Sequence, residues 1–289
     1  MTTIRRGFLR GTLCAALLGA LAACAVGPPP AQPLLTPQQI DGIVAGRSAA
    51  DRAADERRKP AAMLAFIGMR PGMVVLDISA AGGYTTELLA RAAGPTGKVY
   101  GQSPPRKPAG GPAPAVPEGG MAMPAAAPPM AARPAPRPSP VALADRDALL
   151  RSSNAGAAPI VPVVQPFDNP VPPALADGSL DLATLMLNYH DFGFMGVDRA
   201  GMNQAVFRAL KPGGMYVIAD HAGRPGTGIS ESGTLHRVED ALVIREVEAA
   251  GFRLQARGEF LRNPRDPRDR NVPVPPQPKD DFVLKFVKP

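Results

Sequence analysis

Cysteine is scarce in this sequence. There are two in 289 residues, and Cys14 lies inside an apolar N-terminal stretch. With Cys14 in a leader, the mature chain keeps at most Cys24, which rules out an internal disulfide. A chain of this length can bury a sufficient core without one. The apolar stretch itself, from about Leu13 to Val26, falls short of the ~20 residues a bilayer-spanning helix takes. A strong charge of one sign is also missing. The formal net charge is +7, of which Arg5, Arg6 and Arg10 supply three, too weak a balance to argue for a nucleic-acid partner. Histidine is rarer than charge: three in all, no two at helical i, i+4 spacing, so no metal site is expected.

What is present begins with Ile4-Arg5-Arg6-Gly7-Phe8-Leu9-Arg10, then the apolar stretch, then Leu21-Ala22-Ala23-Cys24. Basic residues, a short apolar core and small residues before a cleavage point make a secretory signal over residues 1–24. The paired arginines resemble the bacterial twin-arginine export signal. The Leu-Ala-Ala-Cys run resembles a lipobox, in which Cys24 is lipidated and becomes the mature N-terminus. Plain cleavage after Ala20-Leu21-Ala22 is the alternative and leaves Cys24 a spare thiol. Residues 25–35 read as a Pro-rich tether, and the expected location is periplasmic, with a lipid anchor at the membrane.

The remainder, residues 36–289, is organised around residues 73–93. An apolar run from Met73 to Leu76 ends in Asp77 and suits a strand buried on both faces. A small-residue loop, Ser79 to Gly83, follows, then a helix carrying Leu88, Leu89 and Ala92, with Thr85 or Thr86 as its cap. Upstream, Thr36-Pro37-Gln38-Gln39 starts one helix, Ala49–Lys59 reads as a second and Ala61–Ile67 as a third. Downstream, strands at 98–101, 160–164, 180–187, 214–219, 252–256 and 281–287 alternate with helices near 142–151, 198–210 and 235–250. That alternation predicts one α/β domain with a largely parallel sheet. The last two strands lack an intervening helix and are expected to pair as an antiparallel edge. Residues 103–140 break the pattern. They hold thirteen prolines and few large apolar side chains, a composition that reads as a disordered insertion.

The run Ala209-Leu210-Lys211-Pro212-Gly213-Gly214-Met215-Tyr216-Val217-Ile218 resembles class I S-adenosylmethionine-dependent methyltransferases. Pro71-Gly72-Met73, Gly82-Gly83-Tyr84-Thr85-Thr86-Glu87, Tyr189-His190-Asp191 and Leu235-His236-Arg237 resemble, more narrowly, an uncharacterised bacterial group of predicted methyltransferases. The likeness covers about residues 49–289 without the insertion. It implies a Rossmann-like, doubly wound, mostly parallel seven-stranded sheet, with S-adenosylmethionine as cofactor, held by Asp77, Ser79, Gly82 and Gly83, where bare backbone can approach a ligand closely. It places the ribose at Gln102 and Ser103 and the adenine at Asp168. Two departures stand out. Ser79 and Ala81 occupy the first two glycine positions of the family's Asp-x-Gly-x-Gly-x-Gly loop. Gln102-Ser103 stands where the ribose acid lies, so the charge-assisted bond is missing, a loss of roughly 1 kcal/mol or more.

All three histidines fall at the expected carboxyl edge of the sheet. His190, oriented by Asp191, is the candidate general base, with His221 beside it; the alternative is that His190, His221 and His236 cap element ends. The expected function is methyl transfer to the oxygen or nitrogen of a small-molecule acceptor. An exported ligand-binding or partner-binding module that keeps the fold without catalysis is the alternative.

Overall fold

The computed structural model describes residues 1–2, 32–106, 137–175 and 177–289. The fold is that of residues 32–289. The export signal at 1–24, Cys24 and most of the 25–35 tether lie outside the described residues, as does the body of the insertion, 107–136. Among the described residues no helix is long and apolar enough to cross a membrane.

Four helices open the fold: α1 (Pro37–Ala45), α2 (Ala49–Arg52), α3 (Asp55–Arg58) and α4 (Pro60–Ile67). Thr36 and Gln39 form the reciprocal capping box their spacing predicts. The single helix expected over Ala49–Lys59 is two. A turn separates α2 from α3, and Lys59, at φ +46°, ends the second and leads into α4 at Pro60. Then follow β1 (Val74–Ile78), α5 (Tyr84–Ala93), β2 (Lys98–Ser103), α6 (Ser139–Ser152), β3 (Ile160–Val164), β4 (Leu180–Met186), α7 (Asp191–Phe194), α8 (Arg199–Ala209), β5 (Leu210–His221), α9 (Ser232–Leu235), α10 (Asp240–Ala249), β6 (Arg253–Gly258) and β7 (Asp281–Val287). The insertion is therefore narrower than 103–140: Ser103 pairs in β2 with Val164, and Ser139 and Pro140 already belong to α6.

The seven strands form one sheet in the order β3-β2-β1-β4-β5-β7-β6. All neighbours run parallel except β7, which is antiparallel to both β5 and β6 at that side of the sheet. Residues alternate faces along each strand. Leu76, Ile78, Leu185, Val206 and Phe286 belong to one core cluster, and Val75, Leu88, Val99, Leu143 and Val283 to the other. Both faces are thus covered, as a parallel sheet requires. The chain winds outward from β1 to β3, then returns to β4 on the other side of β1. The crevice beyond the carboxyl ends of β1 and β4 is the switch point where such sheets take ligands.

Two local expectations fail for identifiable reasons. The helix expected over 235–250 starts at Asp240, because Leu235 ends α9, His236 turns left-handed at φ +51°, and Val238 is held in a parallel bridge just past the end of β5. Val238 donates to the His221 carbonyl at 3.0 Å and bridges Ala222. Helix α5 takes Gly83 as its N-cap at φ +82°, not Thr85 or Thr86; the Thr86 hydroxyl instead donates to Asp77 at 2.6 Å.

Candidate active site

The loop after β1 keeps the backbone shape of a glycine loop without its first glycines. Ser79 and Ala81 both sit in the left-handed region, at φ +57° and +47°, where an ordinary residue is held at a cost of roughly 1–3 kcal/mol. Long-range bonds over-determine that shape. The Ser79 amide donates to the Gln102 side-chain oxygen at 2.9 Å, and the Ala80 amide to the Gln102 carbonyl at 2.8 Å. The Ser79 hydroxyl donates to Asn188 at 2.5 Å. Arg146 of α6 crosses the loop, donating from Nε to the Gly82 carbonyl at 2.6 Å. It also grips both oxygens of Asp51 at 2.7 and 2.8 Å and reaches Glu87.

In front of the loop lies a cavity of about 390 Å³, lined among others by Asp51, Arg58, Asp77, Ser79, Gly82 and Asn188. A narrower one of about 40 Å³ adjoins it, sharing Arg58, Tyr84, Thr85, Met186 and Leu187 and reaching Asp281. Asp77 is buried and accepts from Thr86 and Thr184. Burial outweighs those bonds and pushes its carboxyl up to about 6. The Arg58 guanidinium lies 4.6 Å from the centre of the Tyr84 ring, and its buried Nε has no hydrogen-bond partner among the described residues. Burial and the neighbouring Arg57 pull its pKa below the usual value.

Of the residues expected to hold a cofactor, Asp77, Ser79 and Gly82 line the larger cavity. Gly83 does not line it. A Cβ there would lie 2.7 Å from Arg146 and 2.8 Å from Leu143, so this glycine serves close packing of α6 on the loop. Gln102 is fully buried and turned inward, its side chain bridging Ser79 and the Gln165 carbonyl (2.7 Å). It braces the loop and does not face the cavity. Ser103 is likewise buried, its hydroxyl 3.5 Å from the Val163 carbonyl. Asp168 is exposed and accepts from the Asp198 amide at 3.0 Å, next to the cap of α8, lining neither cavity. Sequence reasoning missed Asp51, Arg58, Arg146 and Asn188. The first three read as ordinary charged helix residues; Asn188, immediately before Tyr189-His190-Asp191, carried the one available signal.

The fold brings all three histidines together. The His190 and His221 ring centres are 5.4 Å apart, and those of His190 and His236 5.6 Å. Asp220, fully buried, holds His190 by backbone amide and Nδ1 at 2.7 and 2.6 Å. His190 Nε2 lies 3.1 Å from Asp191. Burial opposes protonation of this ring, but the hydrogen bonds and charges of Asp191 and Asp220 prevail and raise it to about 9. His190 is therefore protonated at neutral pH rather than poised near 6.5. His221 is arranged differently: Nδ1 faces Asp281 at 2.6 Å, and Nε2 has no hydrogen-bond partner among the described residues.

No family model matches the chain, and no curated protein matches it. Solved structures do. A methyltransferase dependent on S-adenosylmethionine from Aquifex aeolicus superposes with a TM-score of 0.51 at 16% identity, over 88% of this chain and 100% of that one. An arsenic(III) S-adenosylmethionine methyltransferase from Chlamydomonas reinhardtii gives 0.51 at 16% identity, over 88% and 74%. The (4+2)-cyclase SpnF gives 0.50 at 15%, over 90% and 99%. At such identities the likeness is one of fold: this chain has the Rossmann-like fold of class I methyltransferases, a fold that also carries other chemistry.

Proposed function

We propose that the protein is an S-adenosylmethionine-dependent methyltransferase acting on an oxygen or nitrogen of a small-molecule acceptor. The observation that carries this reading is Arg58, a half-buried guanidinium with an unpartnered Nε on the wall of the switch-point cavity. A cation with no ion-pair partner among the described residues, beside the start of α5, is a seat for a carboxylate. The amino-acid end of the donor carries one, and Ser79, Gly82 and Asn188 supply the neighbouring polar wall. Asp77 supports the loop from below. The donor contributes an electrophilic methyl group when bound. On the acceptor side His221, oriented by Asp281, can take the proton the acceptor loses, since its Nε2 has no partner among the described residues; Asp281 lines the narrower cavity. His190, held by Asp220, stands beside His221 with the ring centres 5.4 Å apart. Holding both reactants in line supplies most of the rate in such a transfer.

Gly82 offers the sharpest test. A Cβ there meets nothing within 4 Å and the residue is not in the left-handed region, yet it faces the cavity. Gly82→Val is expected to leave the melting temperature within about 2 °C and abolish binding of S-adenosylhomocysteine. Arg58→Met is expected to weaken it tenfold or more, about 1.4 kcal/mol. Unchanged binding in both variants would refute this site. A second reading, a binding module without catalysis, draws on Gln102, which is spent inside the chain where a donor-binding acid is expected. Binding without consumption of S-adenosylmethionine over any panel of phenols, amines and thiols would favour it. Export and tethering through Cys24 belong to the same proposal; Cys24→Ser is expected to release the protein from membranes.

A further inference from the structure

We infer that His190, Asp191 and His236 form a binding site for one borderline first-row divalent cation of the Zn²⁺, Fe²⁺ or Co²⁺ class. The site stands on its own geometry and does not depend on the methyl-donor reading. One oxygen of Asp191 lies 3.1 Å from Nε2 of His190 and 3.2 Å from Nδ1 of His236. The three ligand atoms all fall within 4.8 Å of one another. Nitrogen and oxygen ligands about 2.0–2.2 Å from a shared ion stand roughly 3–3.5 Å apart, the spacing that the Asp191 oxygen already has to both imidazole nitrogens.

The surroundings match what metal-ligating groups require. A ligating histidine holds its other ring nitrogen on a carboxylate, which fixes its orientation and raises its basicity. Here Asp220 does this for His190, through Nδ1 at 2.6 Å and the backbone amide at 2.7 Å. The second oxygen of Asp191 is fixed by Asn188 at 2.7 Å, which in turn accepts from Ser79 of the glycine loop. His236 is held at φ +51°, a conformation uncommon outside glycine, and that turn is what carries its ring to Asp191. His190 is buried, whereas the side chains of Asp191 and His236 are 25% and 38% exposed. The cluster thus opens to solvent on one side, and three protein ligands leave room there for water or a ligand oxygen, as reactive rather than structural sites do. Two imidazoles and one carboxylate select borderline transition ions over Mg²⁺ or Ca²⁺, which prefer oxygen throughout. The sequence excludes helical i, i+4 ligand spacing, but the fold supplies the third ligand from the α9–α10 connection 45 residues away.

The test is titration of the chelator-treated full chain with Zn²⁺ by calorimetry, and with Co²⁺ by visible absorption. One equivalent is expected to bind, with Co²⁺ giving d–d bands. His236→Gln and Asp191→Asn should each lower affinity a hundredfold or more. Asp220→Asn, which removes the partner of a ligand, should lower it ten- to a hundredfold. Melting curves without metal separate loss of a ligand from loss of fold. If those variants do not fold, an anomalous-scattering peak between the three side chains in crystals soaked with Zn²⁺ decides the matter. No binding at millimolar ion, undiminished affinity in His236→Gln and Asp191→Asn, or an anomalous peak elsewhere would overturn the site.

Discussion

Ser79 and Ala81 hold left-handed backbone that glycine adopts freely, and only Ala81 has no side-chain bond to show for it. Ala81→Gly is therefore expected to raise stability by about 1 kcal/mol, relief of strain exceeding the added entropy of the unfolded chain; chemical denaturation checks it. Asp77 gives the pH dependence. Its folded-state value is raised to about 6 from 3.8, so between those values the folded protein binds more protons than the unfolded chain, and stability falls as pH rises. Above pH 6 the full cost is present, roughly 3 kcal/mol; below 3.8 it is absent. Asp77→Asn should flatten the stability profile between pH 4 and 6 and match or exceed the parent at pH 7. That Asp77 ends a buried strand was legible from the apolar run before it. Its true partners were not, because Thr184 stands 107 residues away.

The glycine loop and α5 separate two adjacent glycines that sequence treats alike. A side chain at Gly83 meets Arg146 and Leu143 under 3 Å and requires φ +82°, whereas one at Gly82 meets nothing. Gly83→Ala is expected to destabilise by about 2–3 kcal/mol and Gly82→Ala by less than about 0.5 kcal/mol, a contrast that thermal melts of the pair resolve. Arg146 ties α6 to the loop, to α2 and to α5. Arg146→Met removes one partner each from Asp51, which keeps Ser48, and from Glu87, which keeps Arg91, and should cost roughly 1.5–3 kcal/mol, read out by urea midpoint. Helix and strand types were legible from periodicity and caps. Boundaries were misplaced where a tertiary bond overrides local preference, as at residues 236–239.

At the scale of the molecule, alternating strands and helices were enough to anticipate the sheet, its parallel body and its antiparallel strand, because burial on both faces writes itself into continuous apolar runs. The site was only half legible. The glycine loop and the three histidines announced themselves by residue type, but Arg58 and Arg146 act through contacts that no local pattern encodes; Asn188, signalled only by its place before Tyr189-His190-Asp191, meets Ser79 across 109 residues. The same distance from local pattern explains Gln102 and Asp168, which occupy the expected chain positions while the fold engages their side chains with Ser79, the Gln165 carbonyl and the Asp198 amide. Residues 107–136 hold few large apolar side chains to bury, so replacing them by a ten-residue Gly-Ser linker should leave the melting temperature within about 3 °C.

Whether the switch-point cavity takes a methyl donor is answered most directly by calorimetric titration of the purified protein with S-adenosylhomocysteine. The expected result is one site of micromolar affinity, lost in Gly82→Val while the melting temperature holds. No heat of binding at millimolar ligand would contradict it.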